Sequence, residues 1–204
     1  MNERKLVVNL AVLILAATCS HYAVAQATPT ASQQNRLSAF GAVTGTYTGL
    51  EGGKNLGLTV GADLSFRSLF SVNPSFEVRG TYPIDKGTID DQKNILVGLR
   101  IEKRYGHLHP YANILFGRGR IDYSAGGIPD PSHTFLYLKS SSNVISPGIG
   151  MDFDISDHLA VKADAQFQHY STPVTTSGHL YAKPLTLGVV YNFDFNHHRH
   201  SPRQ

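Results

Sequence analysis

The sequence predicts an all-β fold, an eight-stranded antiparallel up-and-down barrel that crosses a membrane. Three observations predict it. Eight stretches alternate apolar and polar residues over about the nine to eleven residues that a tilted strand needs to span a bilayer. The connections between them alternate short with mostly longer. An export signal precedes them all.

That signal begins with Arg4 and Lys5, continues through the apolar run Leu6 to Ala17 interrupted only by Asn9, and ends at Ala23-Val24-Ala25. A charged start, a short apolar core and small residues before the cut define a secretory signal peptide over positions 1–25. The run falls short of the roughly 20 residues of a membrane helix. Cys19 invites a lipoprotein reading, but Ala16-Ala17-Thr18 lacks the leucine that such cleavage favours. Cleavage after Ala25 removes the one cysteine, and disulfide and thiol chemistry with it. Positions 26–36 then read as a flexible polar lead-in, 37–195 as the barrel and 196–204 as a His-containing tail.

Composition narrows the field further. Lys and Arg number 18 against 15 Asp and Glu, a balance too even to argue for nucleic acid, and no basic run with interleaved aromatics appears. Ten Tyr, ten Phe and 19 Gly suit a β-rich chain.

The first strand, Leu37 to Tyr47, is rich in Gly and Thr. The second, Leu56 to Phe66, is the clearest, with Leu56, Leu58, Val60, Ala62, Leu64 and Phe66 alternating with Gly57, Thr59, Gly61, Asp63 and Ser65. The third, Ser75 to Tyr82, sets Phe76, Val78 and Tyr82 against Glu77, Arg79 and Thr81. The fourth, Ile95 to Tyr105, sets Ile95, Val97, Leu99 and Ile101 against Gly98, Arg100, Glu102 and Arg104. In the fifth, Pro110 to Ile121, Leu115 falls on the face opposite Ala112, Ile114 and Phe116. The sixth, Ile145 to Ile155, opposes Ile149, Met151, Phe153 and Ile155 to Gly148, Gly150, Asp152 and Asp154. The seventh, Leu159 to Tyr170, opposes Leu159, Val161, Ala163, Ala165 and Phe167 to Lys162, Asp164, Gln166 and Gln168. The eighth, Leu185 to Phe193, puts Leu185, Leu187, Val189, Tyr191 and Phe193 on one face. Short connections follow strands two, four and six, and the longest spans Tyr123 to Asn143, so both chain ends belong on the periplasmic side.

Alternation alone does not say which face is outside, since a soluble barrel of the lipocalin kind would turn its apolar face inward around a ligand. The charges decide for a membrane. Asp63, Glu77, Arg79, Arg100, Glu102, Arg104, Asp152, Lys162 and Asp164 share the polar face with many glycines, which suits a narrow, filled interior. Aromatics near strand ends, at Tyr47, Phe66, Tyr82, Tyr105, Tyr111, Phe153 and Phe193, fit interfacial girdles.

Three segments carry a resemblance: Pro110-Tyr111-Ala112 leading into a Gly-containing strand, Pro147 to Ile155 followed by Leu159 to Asp164, and Leu187 to Phe193. With these the chain resembles the small eight-stranded outer-membrane barrels, the OmpA-like and opacity-protein-like family. The resemblance implies residence in the bacterial outer membrane, among its lipids and lipopolysaccharide. It also implies handling by periplasmic chaperones and the barrel assembly machinery, with Leu187, Val189, Tyr191 and Phe193 as the terminal assembly signal. Asp194 to Gln204 continue beyond that signal.

Four constellations bear on chemistry. The lumen charges read as an ion-paired plug, with a pathway gated by the same pairs as the alternative. His169-Tyr170-Ser171 is similar to the His-x-Ser pair of outer-membrane lipid A deacylases, but a base needs an orienting carboxylate, no Glu follows Glu102, and Asp164 lies on the other face. The tail run His197-His-Arg-His200 offers imidazoles without fixed geometry, so no metal site, cofactor or catalytic residue is expected. Arg118 and Arg120, near the outer end of their strand, are placed to meet lipopolysaccharide phosphates. Asp85, Lys86, Asp90, Asp91, Lys93 and Lys139 read as generic polar loop residues. The function expected is a non-enzymatic barrel with a filled lumen that serves envelope integrity and surface interaction or adhesion, its extracellular ligand unnamed. A low-conductance porin and a lipid A hydrolase are the alternatives.

Overall fold

The computed structural model describes residues 36–50, 53–66, 71–85, 87, 89–123, 126–129 and 131–193; the signal segment and the His-containing tail lie outside them. The strands are β1 (Arg36–Tyr47), β2 (Lys54–Ser65), β3 (Asn73–Asp85), β4 (Asp90–Glu102), β5 (Leu108–Tyr123), β6 (Ile128–Pro129), β7 (Leu136–Tyr137), β8 (Lys139–Asp154), β9 (Leu159–Gln166), β10 (Gln168–Ser171) and β11 (His179–Phe193). β6 and β7 form a small hairpin of their own. β9 and β10 are two parts of one wall, so eight walls stand in the order β1-β2-β3-β4-β5-β8-β9/β10-β11. The last closes on the first, from Leu37 opposite Phe193 to Tyr47 opposite Lys183. Closure leaves no free sheet edge among the described walls, the condition for a sheet in lipid.

The outer surface carries the apolar half of each alternation: Leu58 and Val60 on β2, Ile95, Val97, Leu99 and Ile101 on β4, Leu185, Leu187 and Val189 on β11. Tyr47, Phe66, Tyr82, Tyr105, Phe153 and Phe193 also point outward. Tyr111 does not. It is 5% exposed and faces the lumen, a correction to its expected place in the girdle. Its neighbours Pro110 and Ala112 take the outer face in its stead.

Two other expectations change. β3 runs on to Asp85 and β4 starts at Asp90, so their connection is among the shortest rather than one of the longer ones. Asp85, Asp90, Asp91 and Lys93 therefore lie in strands, not in a loop, and Lys139 likewise opens β8. The seventh wall is interrupted at Phe167, whose N–H donates to the Pro147 carbonyl at 2.9 Å, while Pro147 has no N–H to return. On the other side Pro184 falls within the register that pairs Leu185 with Ala165 and Ala182 with Gln168. Two prolines flanking one position remove the ladder there without shifting the register.

Inward glycines make room for large inward side chains. A Cβ on Gly61 would meet the Phe40 ring, one on Gly150 the Tyr111 ring, and one on Gly119 the Tyr170 ring. The bore of eight strands is only side-chain wide, so each large residue needs a small one opposite.

Candidate functional site

The periplasmic half of the lumen is built from charges. On β3, Glu77 and Arg79 alternate inward two residues apart and meet, the Arg79 Nε donating to Glu77 Oε1 at 2.6 Å. Arg79 also crosses the bore to β9, its Nη1 donating to Asp164 Oδ1 at 2.7 Å. On β4, Arg100 donates from Nη2 to Glu102 Oε2 at 2.7 Å and to Asp152 Oδ2 on β8 at 2.5 Å. Its Nη1 stands 3.5 Å from Asp63 Oδ2 on β2. Lys162 is fully buried, with Nζ 3.7 Å from Asp152 Oδ1 and centred between the Phe40 ring at 4.5 Å and the Tyr111 ring at 4.4 Å. The Arg100 guanidinium lies 3.6 Å from the centroid of the Tyr111 ring.

Neutral side chains complete these pairs. The Tyr111 hydroxyl donates to Asp164 Oδ2 at 2.9 Å, Asn113 Nδ2 to Glu77 Oε2 at 3.0 Å, and Gln166 Nε2 to both Asp164 oxygens and to Asn113 Oδ1. Buried charge persists only where it is paired and hydrogen-bonded. Here Asp63, Glu77, Asp152 and Asp164 face Arg79, Arg100 and Lys162, a surplus of one negative charge over two ion-paired groups that meet at the Tyr111 ring; Asp63 Oδ1, Asp152 Oδ1, Arg100 Nε and Lys162 Nζ find no hydrogen-bond partner among the described residues. Arg104 is the outlier. Its side chain is 44% exposed at the periplasmic rim and, among the described residues, forms an ion pair only with Glu102, at 3.2 Å. Also at this mouth is a cavity of about 20 Å³ lined by Asp63, Arg100, Glu102, Arg104, His109 and Asp152, room for about one water molecule.

Above the charges runs a hoop of hydroxyls. Thr44 lies opposite Thr186 and Thr59 opposite Thr81, while Thr44 and Thr59 meet diagonally across β1 and β2, so that Thr186, Thr44, Thr59 and Thr81 are linked in turn at 2.9, 2.6 and 2.9 Å. The row continues to Asn94, whose Nδ2 donates to the Tyr170 hydroxyl at 2.9 Å and to Gln168 Oε1 at 3.2 Å. The extracellular half beyond it is mostly apolar: Leu50, Leu96, Leu115, Ile121, Tyr123, Val144, Tyr170, Leu180 and Ala182 pack as one buried cluster, and above it the buried Asp90 carboxylate accepts from the Thr48 hydroxyl at 2.7 Å and from Gln92 Nε2 at 3.3 Å. Sequence reasoning placed polar groups inside, Gln166 among them, and missed this cluster, along with Tyr111, Phe40 and Asn113. Leu115 on the wrong face of its strand was the visible signal of it.

The remaining candidates sit on the outer wall. Leu187, Val189, Tyr191 and Phe193 project outward on the wall that closes the barrel, Tyr191 and Phe193 meeting edge to face at 4.9 Å. His169 and His179 face each other near the outer end of β10 and β11, His169 Nε2 and His179 Nδ1 being 3.1 Å apart. Ser171 bonds through its backbone N–H to the Ser142 hydroxyl, and no carboxylate among the described residues pairs with His169. Among the described residues no three His, Cys, Asp or Glu converge as metal ligands. Arg118, Arg120 and Lys93 face outward at the extracellular end of β4 and β5, where Asp122 accepts from Lys93 at 2.7 Å and from Arg120 at 2.5 Å.

No curated protein matches the chain. Among solved structures it is similar to Neisserial surface protein A at 13% identity and a TM-score of 0.48, over 78% of this chain and 96% of that one. It is likewise similar to the attachment invasion locus protein Ail of Yersinia pestis at 13% identity and a TM-score of 0.48, over 78% and 99%. The outer membrane enzyme PagL aligns at 12% identity and a TM-score of 0.45, over 77% and 99%. Likeness at this level speaks to neither activity nor ligand. The family model is another matter, because the outer membrane protein beta-barrel domain matches residues 10–193, the greater part of the sequence. The chain belongs to the outer-membrane β-barrel family, and its place is the bacterial outer membrane.

Proposed function

We propose that the protein is a non-enzymatic surface-interaction barrel, with a lumen closed by its own side chains and its recognition carried by the long connection between β5 and β8. One observation carries this reading. That connection holds Phe135, Leu136 and Leu138 at 65, 61 and 61% exposure, beyond the walls of the barrel. Its base is anchored, because Ile128 and Tyr137 pack on the apolar cluster inside the lumen. Exposed apolar side chains on an anchored loop suit binding to another surface more than solvation. The filled lumen supports the same reading over a porin. A hydrolase is disfavoured by a His169 that bonds to His179 and by a Ser171 without a base. Assembly through the barrel machinery, with Leu187, Val189, Tyr191 and Phe193 as its signal, belongs to this proposal as well.

The test is adherence of cells displaying the protein to epithelial monolayers and to abiotic surfaces. Wild type should exceed the deletion strain. The triple variant Phe135→Ser, Leu136→Ser, Leu138→Ser should fall to the deletion level while still migrating as a folded barrel on unheated gels. Full adherence by that variant would contradict the loop reading.

A further inference from the structure

The outer wall carries a groove that its backbone does not require. Gly80 faces outward on β3, directly between Val60 of β2 and Ile95 of β4, which are 64% and 68% exposed. Many inward glycines are explained by collisions that a Cβ would cause. Gly80 is different, since its nearest neighbours to a Cβ would be the Asn94 carbonyl at 3.8 Å and the Ile95 side chain at 4.0 Å, ordinary contact distances. A larger residue fits there, and its absence opens a cleft of about 690 Å³ on the lipid-facing wall. Leu58, Val60 and Ile95 supply its apolar sides.

The extracellular end of the cleft is cationic. One pairing step above Gly80, Lys93 stands 5.9 Å from the centroid of the Tyr82 ring, with Arg120 opposite it on β5; Arg118 lies opposite Ile95. Asp122 engages Lys93 and Arg120, whereas no hydrogen bond or ion pair joins Arg118 to any described residue. With Asp91 and Lys139, which stand opposite Asp122 on β4 and β8, four cations against two carboxylates leave two positive charges at the boundary where the apolar wall of β5 ends at Phe116. A cation held against hydrocarbon needs an anion or water, and a headgroup phosphate provides two or three acceptors for an Arg fork.

From this juxtaposition we infer that the cleft binds one phosphorylated glycolipid of the outer leaflet, a lipid A. Its phosphate sits on Arg118 and Arg120 beside Lys93, and one acyl chain lies along Gly80 between Val60 and Ile95. Charge complementarity selects an anionic headgroup. The position at the extracellular rim selects the outer leaflet. This site is separate from the β5–β8 connection and does not depend on the surface-interaction reading.

Native mass spectrometry of the folded protein in detergent tests it, with bisphosphorylated lipid A, the same lipid stripped of its phosphates, and phosphatidylglycerol as probes. The expected result is one tightly held bisphosphorylated lipid A, bound at least tenfold better than the stripped form or phosphatidylglycerol. The double variant Arg118→Ala, Arg120→Ala should lose tenfold or more. Gly80→Leu, which fills the cleft from a position with space for a side chain, should lose binding several-fold with all charges intact. Gly80→Ala should lose less, and unheated gels verify that each variant is folded. Equal binding by the wild type and the double variant would overturn the phosphate site. Equal binding of phosphatidylglycerol, with the same sensitivity to these substitutions, would overturn the assignment to lipid A, and wild-type retention by Gly80→Leu would overturn the acyl groove.

Discussion

The two halves of the lumen are filled by opposite means. The periplasmic half holds Glu77, Arg79 and Asp164 in one ion-paired group and Asp63, Arg100, Asp152 and Lys162 in another, the two meeting on the Tyr111 and Phe40 rings, whereas the extracellular half holds Leu96, Leu115, Ile121, Val144, Tyr170 and Leu180 in one apolar cluster. The difference teaches what each half is sensitive to. A charged plug depends on completeness, because removal of one partner leaves another buried and unpaired. An apolar plug depends on volume, because a truncated side chain leaves a cavity that neighbours only partly fill. The threonine hoop separates the regimes: it gives the charges a polar boundary and lets Tyr170 keep its hydroxyl bonded while its ring joins the apolar side.

The largest expected effect breaks the network. Arg100→Ala strands Asp152 and Asp63 and should lower unfolding free energy by about 4 kcal/mol, measured by urea denaturation in lipid vesicles. A loss below 1 kcal/mol would mean that the lower half tolerates incompleteness. Next comes the apolar half, where Leu115→Ala should cost about 3 kcal/mol and leave conductance unchanged, since its cavity is dry. A comparable loss is expected from a test of the faces. Val97→Arg places a charge in lipid and should cost about 2 to 4 kcal/mol, against little for Val97→Ile. An Arg tolerated at Val97 but not at the lumen position Thr186 would show the faces reversed. Thr59→Val, at the hoop, removes two hydroxyl contacts and should cost about 1 kcal/mol. The smallest effect is at the rim, where Arg104→Ala should change stability by less than about 1 kcal/mol because its side chain is solvated.

How much of this was legible in the sequence follows from where period two holds. Leu56 to Phe66 and Ile149 to Ile155 alternate cleanly, so their faces read directly and the charges among them fall inside. In the extracellular half the period fails, because Ile95-Leu96-Val97, Ile114-Leu115-Phe116 and Val144-Ile145 are apolar on both faces, one turned to lipid and one to the plug. A continuous apolar run carries no facing information, so the upper plug stayed hidden. Tyr111 was misplaced because a strand-end aromatic beside Pro110 looks the same whether it points to the interface or to Asp164. The break at Phe167 arises from prolines on two neighbouring walls and has no local signal. Partner choice within the network, such as Arg79 with Asp164 across the bore, needs closure of the barrel and lies beyond any reading of single strands.

Single-channel recording in planar bilayers tests the central claim, that both halves of the bore are closed by side chains. Wild-type protein should give no steady current across a physiological range of voltage and salt, Arg100→Ala should give intermittent openings, and Leu115→Ala should stay silent. A large, steady, ion-selective current from the unmodified protein would contradict the account.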